Sequence, residues 1–214
     1  GEKLFNALKA AFDEAGLIYR GGTIVDASLI AAPNSTKNEK KERDPEMHQV
    51  KKGNQWYFGM KTHIGVDAGT GFVHSVEVTA ANVHDVDVAH KLIREDDDVV
   101  YGDSGYLGLS RRPEIQQDKH KSTIDYRINR RPSQLKMADS YAGINWDKGI
   151  EHQKFSVRSK VEHAFLIVKQ DFGYRKVAYR GLAKNLNRFH ILFASANILM
   201  YMRVGHKGPL SLKG

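Results

Sequence analysis

The sequence predicts a mixed α/β domain, and three observations support this prediction. Short β-rich runs recur along the first half of the chain. Two of them flank a Gly-rich turn, which is typical of an antiparallel hairpin. Two segments near the end have the periodicity of helices that bury one face. The resulting order of strand, loop, hairpin, helix, strand and long helices is that of a sheet whose strands are joined partly through helical crossovers.

The chain begins with an amphipathic helix over residues 3–16, and Gly16 is a natural stop. Its apolar side chains fall on one face: Leu4, Phe5, Leu8, Ala11 and Phe12. The first residue is Gly rather than Met, so we expect a fragment or a processed chain.

Four β-rich runs follow this helix. They cover residues 23–25, 56–66, 72–79 and 98–101. The second and third runs flank the turn 67–71 and form the predicted hairpin. The first run ends at Asp26, and the fourth leads into the sequence Gly-Asp-Ser-Gly that contains Asp103.

The remaining segments connect these runs or close the chain. Residues 34–55 are charged and almost without apolar side chains, which predicts a solvated loop or, alternatively, a DNA-contacting loop. Residues 85–94 predict a short helix, and residues 111–136 are basic and interrupted by Pro. Two helical segments, roughly 155–171 and 182–203, complete the pattern.

The composition is that of an ordinary globular protein with an affinity for polyanions. The 214 residues carry a net charge of +8, and from residue 151 onward there are twelve Lys or Arg against three Asp or Glu. The absence of Cys excludes disulfides and thiolate metal sites. The most apolar stretch, Phe189 to Met202, contains His190 and Asn197 and is too short to span a bilayer, so it predicts a buried helix and no membrane role.

Asp26 and Asp103 occur in similar positions, each just after a short apolar β run. Side chains at the carboxyl ends of strands converge on the crevice where α/β proteins bind ligands. Two carboxylates held close together repel each other unless a cation lies between them, and Mg²⁺ prefers such oxygen ligands. The alternative is that each Asp only caps a backbone amide in a turn.

The helix predicted around residue 160 contains a third candidate carboxylate. An apolar stripe follows the spacing i, i+3, i+4, i+7: Val161, Ala164, Phe165 and Val168. Arg158, Glu162 and Lys169 lie in a narrow sector beside this stripe. Glu162 can complete a metal site while the two cations hold phosphates. The alternative is a surface Arg158–Glu162 pair that contributes ~0.3–0.5 kcal/mol.

Residues 155–169 resemble the Y-(2)-R-(3)-E-(6)-K signature of bacterial insertion-sequence transposases of the DDE superfamily, with Phe155 in place of the Tyr. Residues 21–28 and 99–106 look like the two catalytic aspartate motifs of that superfamily. Residues 53–85 look like the intervening β region of the group related to insertion sequence five. The resemblance extends from about Gly21 to about Gly205, with the three motifs in the family's order.

This resemblance implies a ribonuclease-H-like fold, a mixed five-stranded sheet flanked by helices, over residues 21–205, followed by a C-terminal tail over 206–214. It also implies that residues 1–20 are the end of an N-terminal helical region whose remainder is missing. It implies that Asp26, Asp103 and Glu162 are the catalytic residues and bind two Mg²⁺ or Mn²⁺ ions. The expected function is metal-dependent cleavage at transposon ends and transfer of the freed 3′-OH into target DNA. The expected location is the bacterial cytoplasm, in association with the nucleoid.

The implied partners are double-stranded DNA, namely terminal inverted repeats and target DNA, and further copies of the chain in a dimer or larger synaptic assembly. The candidate DNA-contacting residues are Arg158, Lys169, Lys61, Arg111 and Arg112. A solvated or structural role is the alternative for the last three, and also for His63, His84 and Asp85. Two other functions compete: a different metal nuclease of this fold class, such as a junction resolvase or ribonuclease H, and a non-catalytic DNA-binding derivative of a transposase.

Overall fold

A computed structural model describes residues 1–18, 21–37, 39, 41–131, 133–134 and 146–203 of the chain, with 146–148 as backbone only. The predicted tail, 206–214, and the end of the basic segment 111–136 lie outside the described residues. The helices are α1 (Glu2–Glu14), α2 (Asp85–Val88), α3 (Pro113–Gln116), α4 (Trp146–Leu166) and α5 (Leu182–Arg203). The strands are β1 (Thr23–Ala31), β2 (His48–Lys52), β3 (Gln55–Asp67), β4 (Val73–Ala80), β5 (Val99–Gly102) and β6 (Asp125–Ile128).

The strands form one mixed sheet. Strand β3 pairs antiparallel with β1, β2 and β4, whereas β5 runs parallel to both β1 and β6. The predicted hairpin is therefore confirmed as β3 and β4. Five strands in the order β4-β3-β1-β5-β6 form the expected five-stranded mixed sheet, and β2 is an additional, sixth strand. The predicted helix over 85–94 is shorter than expected, since α2 gives way to a 3₁₀ turn over Ala89–Lys91.

Strand β2 corrects the interpretation of residues 34–55 as a loop. It pairs with the beginning of β3 across a turn in which Gly53 has a φ of 61°. Four of its five side chains are exposed, and only Val50 is half-buried. Apolar alternation arises where one face of a strand is buried. This strand lacks such a face, so its sequence does not carry the pattern by which strands are recognised.

Strand β1 is longer than the predicted run of three residues, and Asp26 lies inside it rather than after it. The pairing with β3 continues from Thr23↔Asp67 to Ala31↔Gly59. The pairing with β5, in contrast, covers only Thr23↔Val100 and Ile24↔Tyr101. From Val25 onward β1 has no paired residue on β5, so Asp26 lies where these two strands separate.

Side chains alternate between the two faces of the sheet, and each face has its own hydrophobic core. On the face of Ile24 and Ile30, the core includes residues of α1, α4 and α5. It contains the predicted stripe of α4, in which Val161, Ala164, Phe165 and Val168 are all buried. On the face of Val25, a smaller core includes Ala89 and Tyr106. Helix α4 therefore covers the face that carries Asp26.

Helix α5 contains the apolar stretch that predicted a buried helix, and the prediction holds for one of its faces. Phe189, Phe193 and Asn197 are buried, whereas Met202 is 69% exposed. The Asn197 side chain accepts a hydrogen bond from the Val73 amide (2.9 Å) and donates one to the Val73 carbonyl (2.8 Å), which ties α5 to β4. In the described part of the chain no helix is long and apolar enough to cross a membrane.

A buried polar network fixes the beginning of β1. The Thr23 hydroxyl donates to Asp97 Oδ2 (2.5 Å) and contacts His74 Nε2 (3.0 Å). Asp97 Oδ1 accepts from Arg94 Nε (3.2 Å) and Nη2 (3.0 Å). Asp97 and Thr23 are both fully buried, so this network joins β1 to the segment that leads into β5.

Candidate active site

Asp26 lies on the α4 face of β1, and its side chain is 19% exposed. Its Oδ1 accepts a hydrogen bond from the Ala27 amide at 2.7 Å. Its Oδ2 lies 3.7 Å from Arg158 Nη1 of helix α4. The carboxylate predicted from the first β run is therefore held in a half-buried position between the sheet and the predicted Arg-Glu-Lys helix.

Asp103 follows β5 directly and lies beside Asp26, because β1 and β5 run parallel up to this point. It caps the 3₁₀ turn Ser104–Tyr106, and its Oδ1 accepts from the Gly105 amide at 2.8 Å. A Cβ at Gly105 would come within 2.9 Å of Asp103 Oδ1. The small residue in the Gly-Asp-Ser-Gly sequence therefore leaves room for the carboxylate in this orientation.

The two aspartates are electrostatically coupled. Burial, the largest cause, raises the pKa of Asp26 from 3.8 to about 6. The negative charges of Asp103 and Asp85 also raise this pKa. The hydrogen bond from the Ala27 amide and the positive charge of Arg158 lower it. An ionised Asp26 is thus disfavoured at this place in the fold. A cation between the two carboxylates would relieve this cost.

This shift predicts how the stability of the metal-free protein depends on pH. Folded Asp26 retains its proton up to about pH 6, whereas the unfolded chain releases it near 3.8. The folded state therefore binds more protons between these values, and Asp26 lowers stability as the pH rises through this window. The loss at pH 7 is at most about 3 kcal/mol. Urea denaturation in EDTA should show Asp26→Asn more stable than wild type at pH 7.5, with the difference shrinking towards pH 4.

Glu162 lies on α4, four residues after Arg158. Its side chain is 58% exposed, and its Oε1 lies 3.4 Å from Arg158 Nη2. Arg158 therefore bridges Asp26 and Glu162, and its guanidinium also lies over the Phe155 ring at 5.3 Å from the ring centroid. The expected i, i+4 pair exists, but Arg158 is only 14% exposed and contacts the sheet as well. This arrangement goes beyond a surface pair on one helix.

Lys169 lies in a π-helical turn, Ile167–Asp171, that continues α4. Its Nζ donates to the Leu29 carbonyl of β1 at 3.4 Å. Burial and the charge of Lys52 lower the pKa of Lys169, while the charge of Asp26 raises it. Of the three residues predicted to share one sector of the helix, Arg158 contacts Asp26 and Glu162 contacts Arg158. Lys169 contacts the carbonyl of Leu29, on the same strand as Asp26.

The donor chemistry fits a hard divalent cation, since Asp26, Asp103 and Glu162 offer only carboxylate oxygens. Among the described residues, no three His, Cys, Asp or Glu side chains stand close enough together to hold a metal ion as they are placed. Arg158 is the cation that contacts both Asp26 and Glu162. In this arrangement the exposed Glu162 side chain is thus not placed as a third ligand beside the two aspartates.

Lys61, a candidate DNA-contacting residue with a structural role as the alternative, lies on the other face of the sheet. Lys61 Nζ contacts Asp85 Oδ1 at 2.9 Å and donates to the Val83 carbonyl at 2.8 Å. His63 is fully buried, and burial lowers its pKa to about 4, although Asp85 opposes the shift. The spacing of Lys61 and His63 on one strand, followed by an Asp after the next strand, was the signal available in the sequence.

Tyr106 was not singled out from the sequence. It is 1% exposed, and its hydroxyl has no hydrogen-bond partner among the described residues. Burial raises the pKa of Tyr106 well above its usual range, and the charges of Asp26, Asp85 and Asp103 raise it further. The hydroxyl therefore lies within electrostatic reach of three carboxylates from three different elements.

Within the described part of the chain, Arg111 and Arg112 make no ion pair or hydrogen bond with Asp26 or Asp103, in contrast to Arg158, which contacts Asp26. Arg111 is exposed and ends a short 3₁₀ turn. Arg112 Nη1 contacts Asp87 Oδ1 at 2.9 Å, and its Nε lies 3.4 Å from Glu114 Oε2. The ion pairs give Arg112 a structural role beside α2, whereas Arg111 remains available at the surface.

Comparison with known proteins agrees with this architecture. Among solved structures, the chain resembles the piggyBac transposase, determined by cryo-electron microscopy in a synaptic complex with hairpin DNA. The TM-score is 0.50 at 13% identity, and the match covers 86% of this chain and 47% of that chain. The chain thus spans about half the length of this structural relative, and the likeness concerns the fold. It is consistent with the predicted ribonuclease-H-like arrangement of a mixed sheet flanked by helices.

The sequence itself matches a family profile over most of its length. Residues 20–198 match the family described as the transposase DDE domain. The matched range includes β1, β5 and α4, and with them all three predicted carboxylates. This result favours a transposase over the junction resolvase and ribonuclease H alternatives. The chain belongs to the transposase DDE domain family.

Proposed function

We propose that this chain is the catalytic domain of a bacterial insertion-sequence transposase, of the group related to insertion sequences four and five. Asp26, Asp103 and Glu162 hold two Mg²⁺ or Mn²⁺ ions and support cleavage at transposon ends and transfer of the 3′-OH into target DNA. The observation that carries this proposal is the placement of Asp26 on β1 beside Asp103 at the end of the parallel strand β5, with the charge of Asp103 acting on Asp26.

Divalent ions, when bound, would activate a water for attack on the scissile phosphodiester and stabilise the leaving oxygen. The chain's own residues arrange this chemistry. Asp26 and Asp103 fix the position of the ions from two neighbouring strands, and Glu162 completes the set from α4. Because the attacking group is a water and then the freed 3′-OH, no serine or tyrosine nucleophile is required.

The cations around the aspartates have a second task in this proposal. Arg158, once released from Asp26 and Glu162, can hold a DNA phosphate with its planar fork of donors. Lys169 approaches from the end of the same helix and neutralises a neighbouring phosphate. Arg111 is the exposed candidate for a more distant contact. Lys61 and Arg112 would reach DNA only by leaving Asp85 and Asp87, so they rank behind these three.

The proposed substrates are double-stranded terminal inverted repeats and target DNA. Support comes from the net charge of +8 and from the piggyBac relative, whose solved structure is a synaptic complex with hairpin DNA. By analogy with that complex, we propose a dimer or larger synaptic assembly. Chromosomal DNA in the bacterial cytoplasm is then the place of action.

The proposal is tested by DNA cleavage with removal and return of metal. Wild type should nick supercoiled plasmid carrying the element's ends in Mn²⁺ or Mg²⁺, lose this activity in EDTA and regain it when the metal is returned. Glu162→Gln should lose both cleavage and tight Mn²⁺ binding. The matched control is Glu114→Gln, which removes another exposed carboxylate paired with an Arg on a helix. It should behave like wild type.

The other outcomes of this experiment contradict the proposal in different ways. Cleavage that persists unchanged in Glu162→Gln would remove Glu162 from the site. DNA binding without cleavage by wild type, at any concentration of Mn²⁺, would favour the non-catalytic DNA-binding derivative. The separation of Glu162 from the two aspartates by Arg158 is the observation that keeps this second function in consideration.

A further inference from the structure

Strands β2 and β3 form a hairpin whose tip carries an exposed aromatic ring and two exposed lysines. Trp56 is 66% exposed, and its partner across the hairpin is Lys51. Lys52 follows at the end of β2. At the turn residue Gly53, no atom of the described residues beyond its chain neighbours lies within 4 Å of the place where a Cβ would stand. The tip is therefore open to a partner, and covering the Trp56 ring would be favourable.

The hairpin carries positive charge and no negative charge. Residues 47–66 contain no Asp or Glu. The acidic residues just before them are occupied at the start of α5: Asp44 Oδ2 accepts from the Gly181 amide at 2.7 Å, and Glu46 Oε2 accepts from the Leu182 amide at 2.8 Å. An aromatic ring among lysines without intervening carboxylates favours a polyanion as the partner.

The register places Trp56 on the same face of the sheet as Asp26. Asp26 is paired with Ile64 of β3, and residues paired across antiparallel strands share a face. Every second residue from Ile64 back to Trp56 therefore lies on that face. Phe58, Met60 and Ile64 belong to the core that includes residues of α4 and α5. Trp56 continues this series beyond the edge of the core.

Basic side chains lead from Asp26 towards the hairpin. Arg158 Nη1 lies 3.7 Å from Asp26 Oδ2, and Lys169 Nζ donates to the Leu29 carbonyl further along β1. The exposed Lys176 forms a β-bridge with the last residue of β1. Since β3 runs antiparallel to β1, this direction leads back along β3 to the hairpin. One continuous phosphate backbone could follow these cations.

The distance between the two ends of this path follows from the strand. Trp56 lies eight residues before Ile64, the partner of Asp26. Eight residues of strand extend over about 26 Å. Duplex DNA rises about 3.4 Å per base pair, so the same length corresponds to about eight base pairs. Between these ends, the exposed Arg43 places its guanidinium over the Phe58 ring, 5.3 Å from the ring centroid.

We propose that the tip of the β2–β3 hairpin, with Trp56, Lys51 and Lys52, binds double-stranded DNA about eight base pairs from the scissile phosphate. This inference rests on the proposed function, in which Asp26 marks the position of that phosphate. The two lysines contact backbone phosphates. A two-stranded ribbon fits the major groove, where the Trp56 ring covers its apolar surface against sugars and base edges.

The first test is binding of a fluorescein-labelled duplex that carries the element's end, measured by anisotropy in EDTA. Trp56→Ala should weaken binding about 5- to 100-fold, the range of one aromatic contact with a base. The matched control is Met202→Ala, which removes another exposed apolar side chain, on α5, and should bind like wild type. Circular dichroism shows that each variant is folded.

The salt dependence of the same binding tests the two lysines. Lys51→Gln combined with Lys52→Gln should lower the slope of log K against log salt concentration by about two, because two phosphate contacts are lost. Lys91→Gln combined with Lys119→Gln removes the same charge from two exposed lysines outside the hairpin. This control should leave the slope unchanged.

The distance is tested with iron-EDTA attached to a single cysteine, since the chain has no Cys of its own. Asn54→Cys places the reagent in the turn of the hairpin. Strand scission should be centred about eight base pairs from the nick that the unmodified protein makes in Mn²⁺. Lys91→Cys is the control and should give no peak at that position.

Binding in EDTA requires neither metal nor cleavage, so failure of this inference can be distinguished from failure of the proposed function. If wild type does not bind the duplex, both fail. If wild type binds and the hairpin variants bind equally well, this inference alone is wrong. A lower oligomeric mass of Trp56→Ala in light scattering, with unchanged DNA binding, would assign the hairpin to contact with a second copy and would also overturn it.

Discussion

Replacement of Asp26 by Asn is expected to lower metal-dependent DNA cleavage by at least about a hundredfold, the scale on which removal of one stabilising group acts on an active site. The same variant should be more stable than wild type at neutral pH when metal is absent. Both effects have one cause, since burial next to Asp103 makes the ionised Asp26 costly without a cation. The Asp26→Asn replacement should therefore lower activity and raise stability, as is common at active sites whose charged groups destabilise the folded state.

The measurement combines a cleavage time course in Mn²⁺ with urea denaturation in EDTA. Asp125→Asn is a suitable control, because Asp125 is an exposed carboxylate on β6, separated from β1 by β5, and contacts Arg127 at 2.7 Å. It should change neither quantity appreciably. A variant at Asp26 that is inactive only because it unfolds would contradict the explanation, as would one that cleaves DNA at the wild-type rate.

Replacement of Asp97 by Ala is expected to lower the free energy of unfolding by about 3–5 kcal/mol, the usual cost of removing one partner of a buried ion pair. Arg94 is 12% exposed and would lose its closest carboxylate, and the Thr23 hydroxyl would lose its acceptor. Asp98→Ala is the matched control, since this neighbour is exposed and should shift stability by less than about 0.5 kcal/mol.

Denaturation of both variants at pH 7.5 measures this difference directly. Because Asp97 fixes the beginning of β1, residual cleavage by Asp97→Ala should follow the fraction of protein that is folded. A loss of Asp97 that costs no more than the loss of Asp98 would mean that the buried network does not hold β1 in place.

The sequence was most informative where one helix must satisfy two requirements at once. The stripe Val161, Ala164, Phe165 and Val168 predicted a buried face, and all four side chains are buried. The same periodicity then fixes where Arg158 and Glu162 point, because a helix has only one way to bury that stripe. The hairpin was predictable for a similar reason, since its Gly-rich turn and the apolar runs on either side of it both predict an antiparallel pair of strands.

Strand boundaries were less predictable, because tertiary pairing overrides local preference. Asp is rare in strands, so the first run seemed to end at Asp26, yet pairing with β3 carries β1 on to Ala31. Strand β2 has no buried face and thus no apolar pattern. Strand β2 forms because it pairs with the beginning of β3, and this pairing cannot be seen in the local sequence of β2.

The burial of individual charged residues could not be predicted from the local sequence either. Asp96, Asp97 and Asp98 are equivalent in the sequence, but only Asp97 is fully buried, because it meets Thr23 from a distant strand. Asp85 and Lys61 are separated by a whole hairpin and meet only when α2 folds against the sheet. Such pairs become visible when the topology is known.

The most direct test of the central claim is a crystal structure of the protein soaked in Mn²⁺, with the ions located by their anomalous scattering. We expect two Mn²⁺ ions at the separation of β1 and β5, bound by the carboxylates of Asp26 and Asp103, with Glu162 turned away from Arg158 towards them. Ordered aspartates at saturating Mn²⁺ with no anomalous peak within coordination distance of either would contradict the claim that these carboxylates form the metal site of a DNA transposase.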